Sequence, residues 1–111
     1  MSKLAGSEWL GRTRVLQAAM ERRRETLHAL GFEPAYFDYA TCTTYPSRHA
    51  DGRPAAGHVP DGLTDEAVAV RSECGKVIAA KATLIAGFAR GGYFYTPSAA
   101  WRAAREWSPG A

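Results

Sequence analysis

The residues with the most chemical capability lie together near the middle of the chain. From Tyr36 to His58 it reads YFDYATCTTYPSRHADGRPAAGH, which places Tyr45, Arg48, His49, Asp51, Arg53 and His58 within one stretch. Two arginines beside glycine-flanked backbone suit a phosphate or a carboxylate, and a histidine adds a donor that depends on pH. A run of aromatic and β-branched residues that breaks at a proline into a polar loop is a common way to present a binding surface. A plain strand followed by a solvated loop carries the same pattern.

Sharper motifs fail on inspection. Ser47, His49 and Asp51 hold the letters of a hydrolase triad, but no G-x-S-x-G elbow accompanies them, and a triad needs its groups to converge on an oxyanion hole. Gly52 and Gly57 have the spacing of a phosphate-binding loop. His58 and Val59 stand where its lysine and its serine or threonine belong, so the nucleotide reading falls. Cys42, Cys74, His28, His49 and His58 contain no pair at the short spacing of structural zinc ligands. No cofactor and no metal are expected.

A second concentration of charge is the triplet Arg22, Arg23 and Arg24, flanked by Glu21 and Glu25. At 100° per residue the three cannot share a direction, and Arg23 lies nearest the apolar stripe of its helix. Its stem fits along the core edge with the guanidinium in water. With Arg12 and Arg14 the triplet would also serve a nucleic-acid contact. Tyr93 and Tyr95, close to Arg90, form a third group; they are either interface anchors or core residues.

The elements that must position these groups follow from periodicity. Ser7 to Leu30 reads as a helix, with Ser7 as its N-cap, an apolar face of Trp9, Leu16, Ala19, Met20, Leu27 and Leu30, and Gly31 as its left-handed stop. Tyr36 to Tyr45 alternates as a strand that ends at Pro46. Ser47 to Asp65 shows no hydrophobic period and reads as a long loop. Ala67–Arg71 and Val77–Ala80 form a hairpin around Gly75. Lys81 to Arg90 fits either a short helix, stopped by Gly91 and Gly92, or a strand; its alanines favour the helix. Tyr93–Tyr95 is extended, and Thr96-Pro97 opens a last helix ended by Pro109 and Gly110.

With 111 residues, 46% hydrophobic and 23% charged, the chain has the size and composition of one globular domain, 1–111, with flexible ends at 1–6 and 108–111 and a long loop at 46–65. The expected fold class is α+β: a long N-terminal helix packed on an antiparallel sheet of about four strands (35–45, 67–71, 76–80 and 92–96), and a short C-terminal helix. No apolar run reaches the roughly 20 residues of a membrane span. The N-terminus lacks the apolar region of a secretory leader. Two cysteines at no framework spacing are expected reduced, in the cytoplasm.

The net charge is +3, distributed as a basic segment over 1–31, an acidic one over 32–65 and a basic one over 66–111. Such polarity suits a charged partner, or pairing of the segments with each other. Together with the arginine, tyrosine and tryptophan content, the expectation is a small non-enzymatic protein-binding module, a regulator or inhibitor that occupies a partner's surface. The alternatives are a nucleic-acid binder using the basic helix and an anion-binding protein or enzyme built on the 45–58 loop. The site residues expected are Tyr45, Arg48, His49, Arg53, His58, Arg22, Arg23, Arg24, Tyr93 and Tyr95.

Overall fold

A computed structural model describes residues 6–107, with the side chains of 6–14 and 16 excluded. The expectation of flexible ends at 1–6 and 108–111 falls outside these residues apart from Gly6, and so do the contacts expected of Trp9, Arg12, Arg14 and Leu16. The architecture is α+β, with two helices and a four-stranded antiparallel sheet.

Helix α1 spans Gly6–Ala29. Ser7, expected as the N-cap, has helical backbone, and its side chain lies outside those described. The other end of α1 closes as the sequence implies. Gly31 adopts φ 89°, the Gly31 amide donates to His28 O at 3.0 Å, and the Phe32 amide donates to Leu27 O at 2.9 Å. This double closure satisfies two of the final carbonyls and folds Phe32 back under the last turn.

Among the described side chains of the α1 stripe, burial is greatest near that end. Leu27 is buried and Leu30 half-buried, while Met20 is 59% exposed. Length explains the difference. A 24-residue helix runs about 36 Å, and the 11 residues of the second helix, α2 (Pro97–Trp107), cover about 16 Å. The longer helix outruns its support.

The expected single strand over 36–45 is two strands. β1 (Glu33–Asp38) turns through 39–42 into β2 (Thr43–Pro46), and Tyr36 lies directly opposite Tyr45. Cross-strand partners share a face, so Tyr45 joins Tyr36 instead of alternating away from it. The turn carries no glycine. Asp38 Oδ1 accepts the Ala40 amide at 2.9 Å, the Tyr39 amide donates to Thr83 O, and Cys42 takes the left-handed conformation at φ 55°. An aspartate bonded to the backbone two residues on makes a turn without any Gly or Pro signal.

From β2 the chain runs through the 47–64 loop and a short 3₁₀ turn (Asp65–Ala67) to a separate hairpin, β3 (Val68–Arg71) and β4 (Val77–Ala80). This hairpin forms where expected, with Gly75 at φ 88°, but it stands outside the main sheet. The chain then returns as β5 (Leu84–Arg90), paired with β1 from Glu33↔Ala89 to Asp38↔Leu84, and turns at Gly91-Gly92 into β6 (Tyr93–Tyr95). The helix expected over 81–90 is therefore a strand, and an inner one, in the order β2-β1-β5-β6. Pairing on both sides outweighs the weak strand preference of its alanines.

Thr96 caps α2 as anticipated: its Oγ1 accepts the Ala99 amide at 3.2 Å, with Pro97 at the first helical position. Helix α2 lies against β5, β6 and α1. The core cluster under the helices is Leu27, Phe32, Phe88, Ala100 and Ala104, with Leu30, Tyr95, Trp101 and Ala103 packed around it. Burial of Leu27, Phe32 and Phe88 contributes about 2 kcal/mol each. Small residues at 100 and 104 bring α2 close to the sheet, where it shares a core cluster with Leu27 of α1.

Candidate functional site

The 45–58 loop is more ordered than its composition implies. Ser47 is buried (3% exposed), and its hydroxyl donates to Gly57 O at 2.7 Å while accepting the Val59 amide at 2.9 Å. One side chain thereby pins two strands of the loop together. Arg48 and Pro54 form an antiparallel bridge, and the His49 amide donates to Arg53 O. A Cβ on Gly62 would stand 2.7 Å from both Arg48 O and His49 O, so the backbone approach there requires glycine.

The arginines of this loop serve the loop. Arg53 Nε pairs with Asp51 Oδ2 at 2.6 Å, and Arg48 Nη1 donates to Gly52 O at 3.2 Å. The Arg53 amide and guanidinium hold the Asp51 carboxyl below its ordinary range. Arg48, His49 and Arg53 thus do not converge on one vacant anion position. Tyr45 is half-buried; desolvation raises its hydroxyl pKa, with Glu66 and Asp38 adding to the effect.

His58 leaves this group entirely. Its ring lies edge-on between Tyr36 and Phe88, with centroids 5.5 Å from each, and Nε2 is 2.7 Å from Gly87 O. That bond assigns the proton to Nε2 in the neutral ring. Beside it, desolvation raises the Tyr36 hydroxyl pKa, with a smaller contribution from Asp61.

The structure gathers a different set of groups in the wedge between the helices. A groove of about 630 Å³ has Met20, Arg23, Arg24 and Leu27 of α1 on one wall and Pro97, Ser98, Trp101, Arg102 and Arg105 of α2 on the other, over a floor of Ala86, Phe88 and His58. Arg23 lies with its Cζ 5.0 Å from the Trp101 ring centroid, so its stem and charge follow the helix edge as the sequence indicated. Ion pairs among the described residues are Arg53–Asp51 and Arg71–Asp65; no carboxylate pairs with Arg23, Arg24, Arg102 or Arg105. The result is an apolar trough with cationic rims and no internal counter-charge.

Of the residues expected to form a site, Arg23, Arg24 and His58 meet here. Arg22 is exposed on α1 outside this groove. Tyr93 is 72% exposed on the edge strand, whereas Tyr95 packs edge-on against Phe32 at 5.1 Å as a core residue. Arg102 and Arg105 escaped sequence reading. Their i, i+3 spacing on one helix face was the available signal, but no pattern in the chain announced that this face would meet the α1 arginines.

A second cationic arrangement is structural. Arg90 donates from Nε to Leu30 O at 2.8 Å and lies over Trp107, 4.5 Å from its centroid, which in turn stacks on Phe32 at 5.5 Å. It joins the end of α1 to the end of α2. Cys42 and Cys74 are exposed on separate turns, and a hydrogen bond with Ser72 lowers the Cys74 thiol pKa. Among the described residues no cluster of His, Cys, Asp and Glu is arranged to hold a metal, and no helix is long and apolar enough to cross a membrane.

No family model matches the chain, and neither a curated protein nor a solved structure shows significant similarity to it. The groove must be interpreted from its own chemistry.

Proposed function

We propose that this protein is a small non-enzymatic binding module that docks an acidic segment of a partner protein in the groove between α1 and α2. The observation that carries this reading is the set of four guanidinium groups, drawn from both walls, without a carboxylate partner among the described residues. Arginines that a partner covers around an aromatic anchor are among the groups that dominate interfaces. A regulator or inhibitor of this size would act by covering its partner's surface, and two exposed thiols suit a reducing cytoplasmic setting.

The test is affinity capture from the native host with three baits. The wild type and Arg48→Ala/His49→Ala should retain the same partner, and Arg23→Glu/Arg102→Glu should lose it. Loss with the loop variant alone would move the binding surface to the 45–58 loop.

A nucleic-acid reading draws on the same arginines and on Trp101, since aromatic rings in cationic grooves stack unpaired bases. Arg23 already covers part of that ring. Under this reading a single-stranded oligonucleotide binds with a steep salt dependence, and Arg22→Ala/Arg23→Ala/Arg24→Ala abolishes binding.

A further inference from the structure

Resting on that docking reading, we infer that the occupant of the groove is an acidic amphipathic helix of the partner, seated by its apolar face. Three features of the groove define this shape. Its walls run from Met20 to Leu27 on α1 and from Pro97 to Arg105 on α2, each about 10–12 Å or two helical turns long. Its floor is mostly apolar, with Ala86 and the buried Phe88 beside the His58 ring, whose Nε2 is already bonded to Gly87 O, and Met20, Trp101 and the buried Leu27 at the sides. Its cations sit on both rims, Arg23 and Arg24 on one side and Arg102 and Arg105 on the other.

A helix with apolar anchors at i, i+3 or i+4 and i+7 spans two turns and lays one stripe into such a trough. Carboxylates flanking that stripe on both sides then face both rims. A uniformly charged extended polymer would use the rims and leave the exposed Met20 without an apolar partner. A small anion would make no use of the apolar seam. Charge complementarity on two sides of an apolar seam therefore selects the helix. Met20 is central to the distinction, because at 59% exposure it is an uncovered apolar side chain on the same groove wall as Arg23 and Arg24.

The experiment titrates the ¹⁵N-labelled full chain with synthetic peptides of about 15 residues, the length at which isolated helices become marginal in water. One peptide carries Leu and Phe at helical spacing flanked by Glu and Asp. A second has the same composition scrambled, and a third carries a central proline. A single-stranded oligonucleotide is the fourth probe. The first peptide should bind saturably, shift the Trp101 indole resonance and become helical by circular dichroism. The scrambled and proline peptides should bind at least tenfold more weakly.

Arg102→Glu/Arg105→Glu and, separately, Met20→Gln should each weaken the first peptide at least tenfold. All three positions are solvent-facing, and a melting temperature no lower than that of the wild type confirms that the variants fold. Equal binding of all the peptides, or indifference to Met20→Gln, would overturn the inference and leave a groove that reads charge alone. Tighter binding of the oligonucleotide would overturn it in favour of nucleic acid. If no peptide binds while host capture still depends on Arg23 and Arg102, the docking reading survives and the helical occupant is wrong. If that capture is also absent, both fall.

Discussion

Ser47 and Asp38 are buried polar residues that organise backbone rather than chemistry. Replacing Ser47 with alanine strands the Gly57 carbonyl and the Val59 amide, and an orphaned buried partner costs about 1–3 kcal/mol. Ser47→Ala should therefore lower stability by about 2 kcal/mol, measured by urea denaturation, even though a serine in a polar loop reads as dispensable. Asp38 is 1% exposed, and its pKa is lowered chiefly by the hydrogen bond with Thr83, then by the Ala40 amide and the nearby Lys81 charge; partial desolvation opposes them. A folded carboxyl with a depressed pKa stabilises above the unfolded value and loses that contribution as pH falls through the folded value. Asp38→Asn should thus be less stable than the wild type at neutral pH, with the gap closing from about pH 4 downward, near the unfolded aspartate pKa of about 3.9. A gap that is constant across an acid titration of stability would assign Asp38 a purely geometric role.

At the scale of elements, the decisive piece is β5. Its Gly87 lies beneath Phe94, which stacks on Phe37 with centroids 5.0 Å apart, and a Cβ there would run into the Phe94 ring and the Tyr95 carbonyl. Gly87→Ala should destabilise by about 3 kcal/mol through overpacking, read as a drop in melting temperature with a loss of near-ultraviolet aromatic signal. The same substitution in a helix over 81–90 would stabilise, because alanine is the better helix former. The sign of the effect separates the two structures of this segment. The loop from Ser47 to Thr64 is an element in its own right, closed by Ser47 and by the Arg48–Pro54 bridge. It also delivers His58 to the sheet, which joins the loop to the floor of the groove.

For the whole molecule, the central quantity is unbalanced charge. Four arginines on facing helices repel one another across the groove, and a folded protein tolerates such a cost where a ligand later removes it. Arg102→Glu/Arg105→Glu should keep or raise the melting temperature at low ionic strength, by no more than about 1 kcal/mol in stability for exposed charges. The gain should shrink as salt is added, because screening weakens repulsion between exposed groups beyond about 10 Å. A clear loss of stability at every salt concentration would show that these arginines hold the fold together, and would count against the docking proposal.

Local chemistry decided much of this protein before any long-range contact formed. Helix α1 stops at Gly31 because a positive φ and two backbone bonds are available there; α2 starts at Thr96-Pro97 for equally local reasons; the β3–β4 hairpin turns at Gly75. Caps and tight turns depend on a few neighbouring residues, so the letters suffice. The turn at 39–42, the strand at 84–90 and the groove are different in kind. Asp38 makes a turn only with the support of Thr83, β5 is a strand only beside β1 and β6, and Arg23 meets Arg102 only because small residues at 100 and 104 seat α2 against Leu27 and Phe88. Each depends on partners distant in the chain, whose pairing energy overrides local preference and leaves no periodic trace. Sequence alone determined the stops and starts that rest on neighbouring residues, at Gly31, Gly75 and Thr96-Pro97, and tertiary packing decided the turn at 39–42, the strand at 84–90 and which charges face one another.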